Sequence, residues 1–327
     1  MMYNHRETSE IRSWLTGDGT RALELKPSPE EARTLSKISA GAGGATVPTS
    51  FYSRLIQHLT AKSGVLDAGP TVLHTSSGEQ MTIPKTTAHS ANAGIVAEAG
   101  ILPANDPAFG MATLDAWKYG YLIQLSHELV NDSAVDILGY LAQSAGRALG
   151  DGLGIHLVSG TGSGQPMGVL TASTTGKTGA TGAQGMPSGD DLIDLYHSVS
   201  NPYRDHAVWL MSDTTYAKLR KLRDGSGGAG NGNYLWSPGL TAADPGLLLG
   251  KRVVIDPNMP SVGVGAKSIL FGDFRSYFVR FAEGVRFERS DDYAFNQDLI
   301  TFRCLLRADG EQVDASGAIK HFQGGAS

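Results

Sequence analysis

A single cysteine, Cys304, is all that this chain of 327 residues contains. Without a second thiol there is neither an internal disulfide framework nor a thiolate-rich zinc site. Cys304 falls in the alternating run Leu299–Leu306, where a small buried thiol is expected and a nucleophile is not. Charge is sparse as well: 18% of residues are charged and 41% hydrophobic, whereas soluble domains ordinarily carry about 25% charged residues. The charges sum to −5, which argues against a basic stripe built to grip nucleic acid but not against mere enclosure of one. No run approaches the roughly 18 apolar residues needed to cross a bilayer. The opening MMYNHRETSEIRSWL has no apolar core of a secretion signal, so cytoplasmic synthesis is expected.

What the chain does have is glycine, 42 residues of it, among short periodic segments. Much loop, and much surface shielded from water without charge, is the implication, and buried subunit interfaces have that composition. Residues 1–50 hold two short helical stretches, Glu10–Leu15 and Glu30–Ile38, broken by Gly17, Gly19, Pro27 and Pro29. The run SAGAGGATVPTS from Ser39 is an arm or linker. Phe51–Leu59 has helical spacing, and Thr71–Pro84 reads as two strand stretches around a turn at Ser77-Gly78. A Gly/Pro/Asn/Asp-punctuated excursion over 88–110 leads into one long alternating strand from Met111 to Leu125, whose mixed faces suggest contact on both sides. Ser133–Asp136 has the form of a capping box, opening an amphipathic helix of roughly 25 residues that runs to about Val158.

Beyond that helix the pattern shortens. A low-complexity loop is expected over 171–190, then a helix at Asp191–Val199, a strand at Ala207–Met211 and a helix at Thr214–Arg223. After a glycine-rich run come strands at Arg252–Ile255 and Ser268–Phe271, and a strand pair near Tyr277–Phe281 and Val285–Arg289. A last strand, Leu299–Arg307, precedes an open tail. The fold class implied is α+β, with no internal repeat.

Motifs that would carry chemistry fail on spacing or context. His127-Glu-Leu-Val-Asn131 lacks the second histidine of a zinc pair. Gly176-Lys177-Thr178 lacks the leading glycine of a phosphate loop, since Thr171 stands there. Gly225–Gly230 satisfies GxGxxG but follows a basic helical run instead of a strand. In Gly160–Gly164 the final glycine position is Gln165, and Pro166 obstructs a following helix. There is no GxSxG, and none of the nine histidines is paired in sequence with a nucleophile. No catalytic residue, cofactor or metal site is expected.

Taken in order, five segments resemble the Hong Kong 97-type tailed-phage major capsid protein family: VPTSFYSRLI (Val47–Ile56), SHELVNDS (Ser126–Ser133), GTGSGQPMGVL (Gly160–Leu170), ILFGDFRSYFVR (Ile269–Arg280), and the run from Arg289 to Gly310. The resemblance implies an N-terminal arm (1–70), an extended loop (71–114), a peripheral domain with a spine helix (115–170 and 284–327) and an axial domain (171–283). It implies a shell subunit that assembles with copies of itself as hexamers and pentamers in a virion. Scaffolding and portal proteins would be its partners, decoration proteins are left open, and DNA would be enclosed without sequence-specific binding. No heptad run follows Met1, so scaffolding is expected either from a separate protein or from a part that this sequence lacks.

Some members of that family cross-link a loop lysine to an asparagine with the help of a glutamate. Here Asp298 and Leu305 align with those two positions, so non-covalent locking is expected despite Lys85 in the loop. Glu98 and Asp106 of the loop are candidate inter-subunit partners for Arg286 and Arg307 of a neighbour. A nanocompartment shell of the same fold and a soluble α/β enzyme are the alternatives.

Overall fold

The computed structural model describes residues 22–25, 51–88, 108–126, 128–129, 137–223, 246–314 and 317–326. Strand β1 (Ala22–Leu25) precedes helix α1 (Phe51–Lys62), the single turn α2 (Gly64–Asp67) and strand β2 (Thr71–Thr75). Among the described residues, strands β3 (Met81–Ala88) and β4 (Ala108–Leu114) pair only with each other, and they lead into β5 (Trp117–Ser126). The long helix α3 (Ile137–Ser159) is followed by α4 (Val169–Ala172), β6 (Thr174–Thr178), α5 (Gly189–Ser198), α6 (Asn201–Arg204), β7 (Val208–Met211) and α7 (Asp213–Arg220). Short β8 (Leu247–Leu248), β9 (Lys251–Ile255) and β10 (Lys267–Gly272) come next. The last strands are β11 (Tyr277–Ala294), β12 (Leu299–Gln312) and β13 (Ile319–Gln323).

These strands form two larger sheets, giving the α+β class expected from the sequence. The first runs β1-β11-β12-β5, with β2 also on β11 in parallel. The second runs β6-β13-β10-β7-β9-β8. Helix α3 lies on the first sheet because Leu141, Ala145, Leu149, Leu153 and Leu157 recur every four residues, and all are buried. Its 23 residues span about 35 Å at 1.5 Å per residue. Gly146 and Gly150 let α1 approach at backbone contact. A Cβ at either would meet a carbonyl oxygen, Leu55 O at 2.8 Å or Leu59 O at 2.9 Å.

The second sheet is sandwiched by strict alternation. Trp209, Met211, Val253, Ile269, Phe271 and Phe322 point to a core shared with Leu192, Leu195, Tyr216 and Leu219 of α5 and α7. Their neighbours Leu210, Val254, Leu270 and Ile319 join the core of α3 and the first sheet. One apolar core therefore reaches both sheets. Buried Asp256 adds a polar tie, accepting from Val65 N–H at 3.1 Å at the start of α2.

Several expectations are corrected. β2 and β3 are no hairpin around Ser77-Gly78, because β2 joins the first sheet while β3 pairs with β4. The single strand expected over 111–125 breaks at Asp115-Ala116 into β4 and β5, in different sheets. On β5 only the face holding Trp117, Tyr119, Tyr121, Ile123 and Leu125 is covered, while Lys118, Gly120, Leu122 and Gln124 are exposed. The 171–190 loop contains a strand, β6, and the open tail contains β13. The pair expected at 277–289 is one strand, β11, with a register shift between Ala282 and Arg286. The helical stretches in 1–50, the capping box at Ser133–Asp136 and most of SHELVNDS lie outside the described residues.

Candidate functional site

The β3–β4 ribbon pairs antiparallel from Met81–Leu114 to Ala88–Ala108. Two strands alone are marginal in water, and Met111 is 75% exposed, so the root of the ribbon decides where it points. Four side chains of β11 and β12 hold that root. Arg280, only 2% exposed, donates from Nη1 to Leu114 O at 2.8 Å and Asp115 O at 3.3 Å, and from Nη2 to Ser77 O at 2.8 Å. Its Nε donates to Thr75 Oγ1 at 3.0 Å.

Asp309 accepts from Asp115 N–H at 2.5 Å and Gly310 N–H at 2.8 Å. Burial pushes its carboxyl up to about 6, outweighing the two amides that favour its charged form. Arg307 donates to Ala116 O and Gly78 O, each at 3.5 Å, and pairs with Glu283 at 3.1 Å. Lys85 Nζ on the ribbon meets Glu311 Oε1 at 2.9 Å, with both side chains largely buried.

A groove of about 360 Å³ lies between this root and the turn after α3, lined by Met111, Asp115, Trp117, Met167, Asp309 and Glu311 among others. Tyr277 donates to Met167 O at 2.7 Å from beneath it. The polar groups here are spent on backbone and on one another, which suits holding a shape. The Ser–His contact elsewhere is also internal. His321 Nδ1 lies 2.9 Å from Ser173 Oγ and Nε2 lies 3.1 Å from Thr175 Oγ1, with Ser173 and His321 both buried. Burial lowers the His321 pKa to about 4, with the Lys267 charge adding to the effect. The Gly176-Lys177-Thr178 run lies in β6, where Lys177 is held by Asp194 at 2.5 Å.

A model of the phage capsid family matches residues 43–324. The chain belongs to the phage capsid family. It is accordingly a major capsid protein, a subunit of a virion shell. Among solved structures it is similar to the capsid of a native GTA particle, at 23% identity and a TM-score of 0.67, covering 88% of this chain and 96% of the other. It is similar also to Microbacterium phage Oxtober96, at 17% identity and a TM-score of 0.60, covering 91% and 99%. For Mycobacterium phage Bobi the values are 19% and 0.58, covering 93% and 100%. These likenesses show the Hong Kong 97-type fold. No curated protein matches the chain. Neither the nanocompartment nor the enzyme alternative is favoured by these matches.

In this capsid subunit Arg286 and Arg307 come together. Arg286 stands opposite Leu305 in the β11–β12 register, and Arg307 is two residues along β12 on the same face. Arg286 Nε pairs with Glu288 at 3.1 Å and is 45% exposed. Glu98 and Asp106 lie outside the described residues. Asp298 sits at the turn before β12 with φ 53°, and Leu305 is half-buried in mid-strand. Cys304 is buried, as expected, and burial raises its thiol far above the ordinary range.

The sequence reading missed Arg280, Asp309 and Glu311. A signal was present: Arg280 is the one cation in the apolar run Tyr277–Ala282. A charge buried in such a strand needs several acceptors, and here the chain passing over it supplies them.

Proposed function

We propose that this capsid subunit assembles with copies of itself, as hexamers and pentamers, into the icosahedral head of a tailed double-stranded DNA phage. Locking is non-covalent, and the chain performs no catalysis of its own. The observation that carries the non-covalent reading is the Lys85–Glu311 pair at 2.9 Å, which occupies the loop amine within its own chain. The aligned positions Asp298 and Leu305 support it, since neither supplies the acceptor amide or the acid of the cross-linking chemistry. Scaffolding and portal proteins are its partners in this reading, and DNA is enclosed without specific contacts.

The loop is the contact element. Residues 89–107 contain Glu98 and Asp106 and no lysine or arginine. The exposed side of the first sheet presents Lys118, Arg286, Arg303 and Arg307. Glu288 and Glu283 hold three of these arginines only at the surface, where exchange of partners costs little. Glu98 and Asp106 of one subunit therefore pair with Arg286 and Arg307 of the next. The four-part division into arm (1–70), loop (71–114), peripheral (115–170 and 284–327) and axial (171–283) regions is proposed with one amendment. Strand β13 belongs with the axial sheet by pairing.

Denaturing electrophoresis of purified particles tests the locking: a single band of monomer is expected, and a ladder of multimers overturns it. Alanine at Glu98 tests the pairing, which fails if assembly yield and particle stability stay unchanged.

A further inference from the structure

We infer that Arg280 is the positioning residue of the extended loop, fixing the angle at which the β3–β4 ribbon leaves the subunit. The inference rests on the proposal that the loop contacts a neighbouring subunit. Arg280 reaches both legs of the ribbon at once. One leg, running out of β2, offers Thr75 Oγ1 and Ser77 O. The returning leg, between β4 and β5, offers Leu114 O and Asp115 O. Four acceptors thus meet a planar fork of five N–H groups, a match that an ammonium group cannot reproduce.

The position of Arg280 in the fold strengthens the case. A guanidinium that is 2% exposed is costly to desolvate, and an apolar side chain would fill the same space more cheaply for stability alone. Its Cα partner across the sheet is Asp309, whose carboxylate takes the N–H of the same Leu114–Asp115 peptide whose C=O Arg280 holds. One peptide at the break between β4 and β5 is gripped on both sides by adjacent residues of two long strands. Those strands also carry the core of the subunit, so the ribbon takes its direction from that core.

The test compares full-length wild type, Arg280→Lys and Thr75→Val by hydrogen exchange before assembly and by electron microscopy afterwards. Arg280→Lys is expected to speed exchange at least ten-fold in residues 76–80 and 112–116, leaving α3 and β10 protected as in wild type. Its particles should spread in diameter where wild type gives one size. Thr75→Val, which removes a single acceptor, should loosen the same legs less, and it decides the matter if Arg280→Lys does not fold. Unchanged exchange in the legs overturns the inference, and so do loosened legs with uniform shells. Uniform shells from a chain with residues 89–107 replaced by Gly-Ser-Gly would instead overturn the loop-contact reading, leaving the exchange result standing by itself.

Discussion

Two buried titratable residues push stability in opposite directions as pH falls. His321 has a folded pKa of about 4 against an ordinary 6.5. Its contribution is present above 6.5 and is lost as pH falls through about 4. Asp309 has a folded pKa of about 6 against 3.8. Its contribution is present below 3.8 and is lost as pH rises through about 6. Thermal melts from pH 7.5 to 4.5 should therefore show a shallow net dependence. Asp309→Asn should steepen the loss of Tm on acidification, and His321→Gln should flatten or reverse it. Parallel curves for all three proteins would show that neither group is coupled to folding.

Elements differ in how plainly their residues announce them. Helix α3 was legible because its leucines and alanines repeat at three and four residues over its whole length. Strand β6, TTGKT, was not, since threonine and glycine in a low-complexity run carry no apolar alternation. The break between β4 and β5 was hidden for the opposite reason: alternation passes through Asp115 without interruption, and only hydrogen bonds from Arg280 and Asp309 mark the boundary. Arg286 and Arg307 stand out as candidates from charge alone, while Arg280 does not, because its partners are largely backbone groups distant in sequence. The contact of α1 with α3 was equally invisible, as glycines inside a helix name no partner until a second helix lies on them. Gly150→Val should cost on the order of 2 kcal/mol through overpacking against Leu59, measured by urea unfolding of the unassembled subunit. An unchanged midpoint would mean that α1 yields.

At the scale of the whole molecule, both sheets contribute to one core among the described residues, with Leu210, Val254, Leu270 and Ile319 in one cluster with Leu157 and Phe274. Among the described residues, the proposed peripheral and axial regions thus share one core. Unassembled subunit should unfold in a single transition, with the Trp209 environment and far-UV circular dichroism changing together in urea. Separate midpoints for the two signals would show that the sheets fold independently.

Strand β12 serves two masters by parity. Its residues Leu306 and Ala308 are core, while Arg307, Asp309 and Glu311 each hold a part of the ribbon. A slip of one residue would exchange those roles, burying charge and releasing the loop together. Under the proposed loop contact, a misfolded copy is in this way denied the element by which it would join the lattice. Register becomes a form of proofreading, enforced before any neighbour is met.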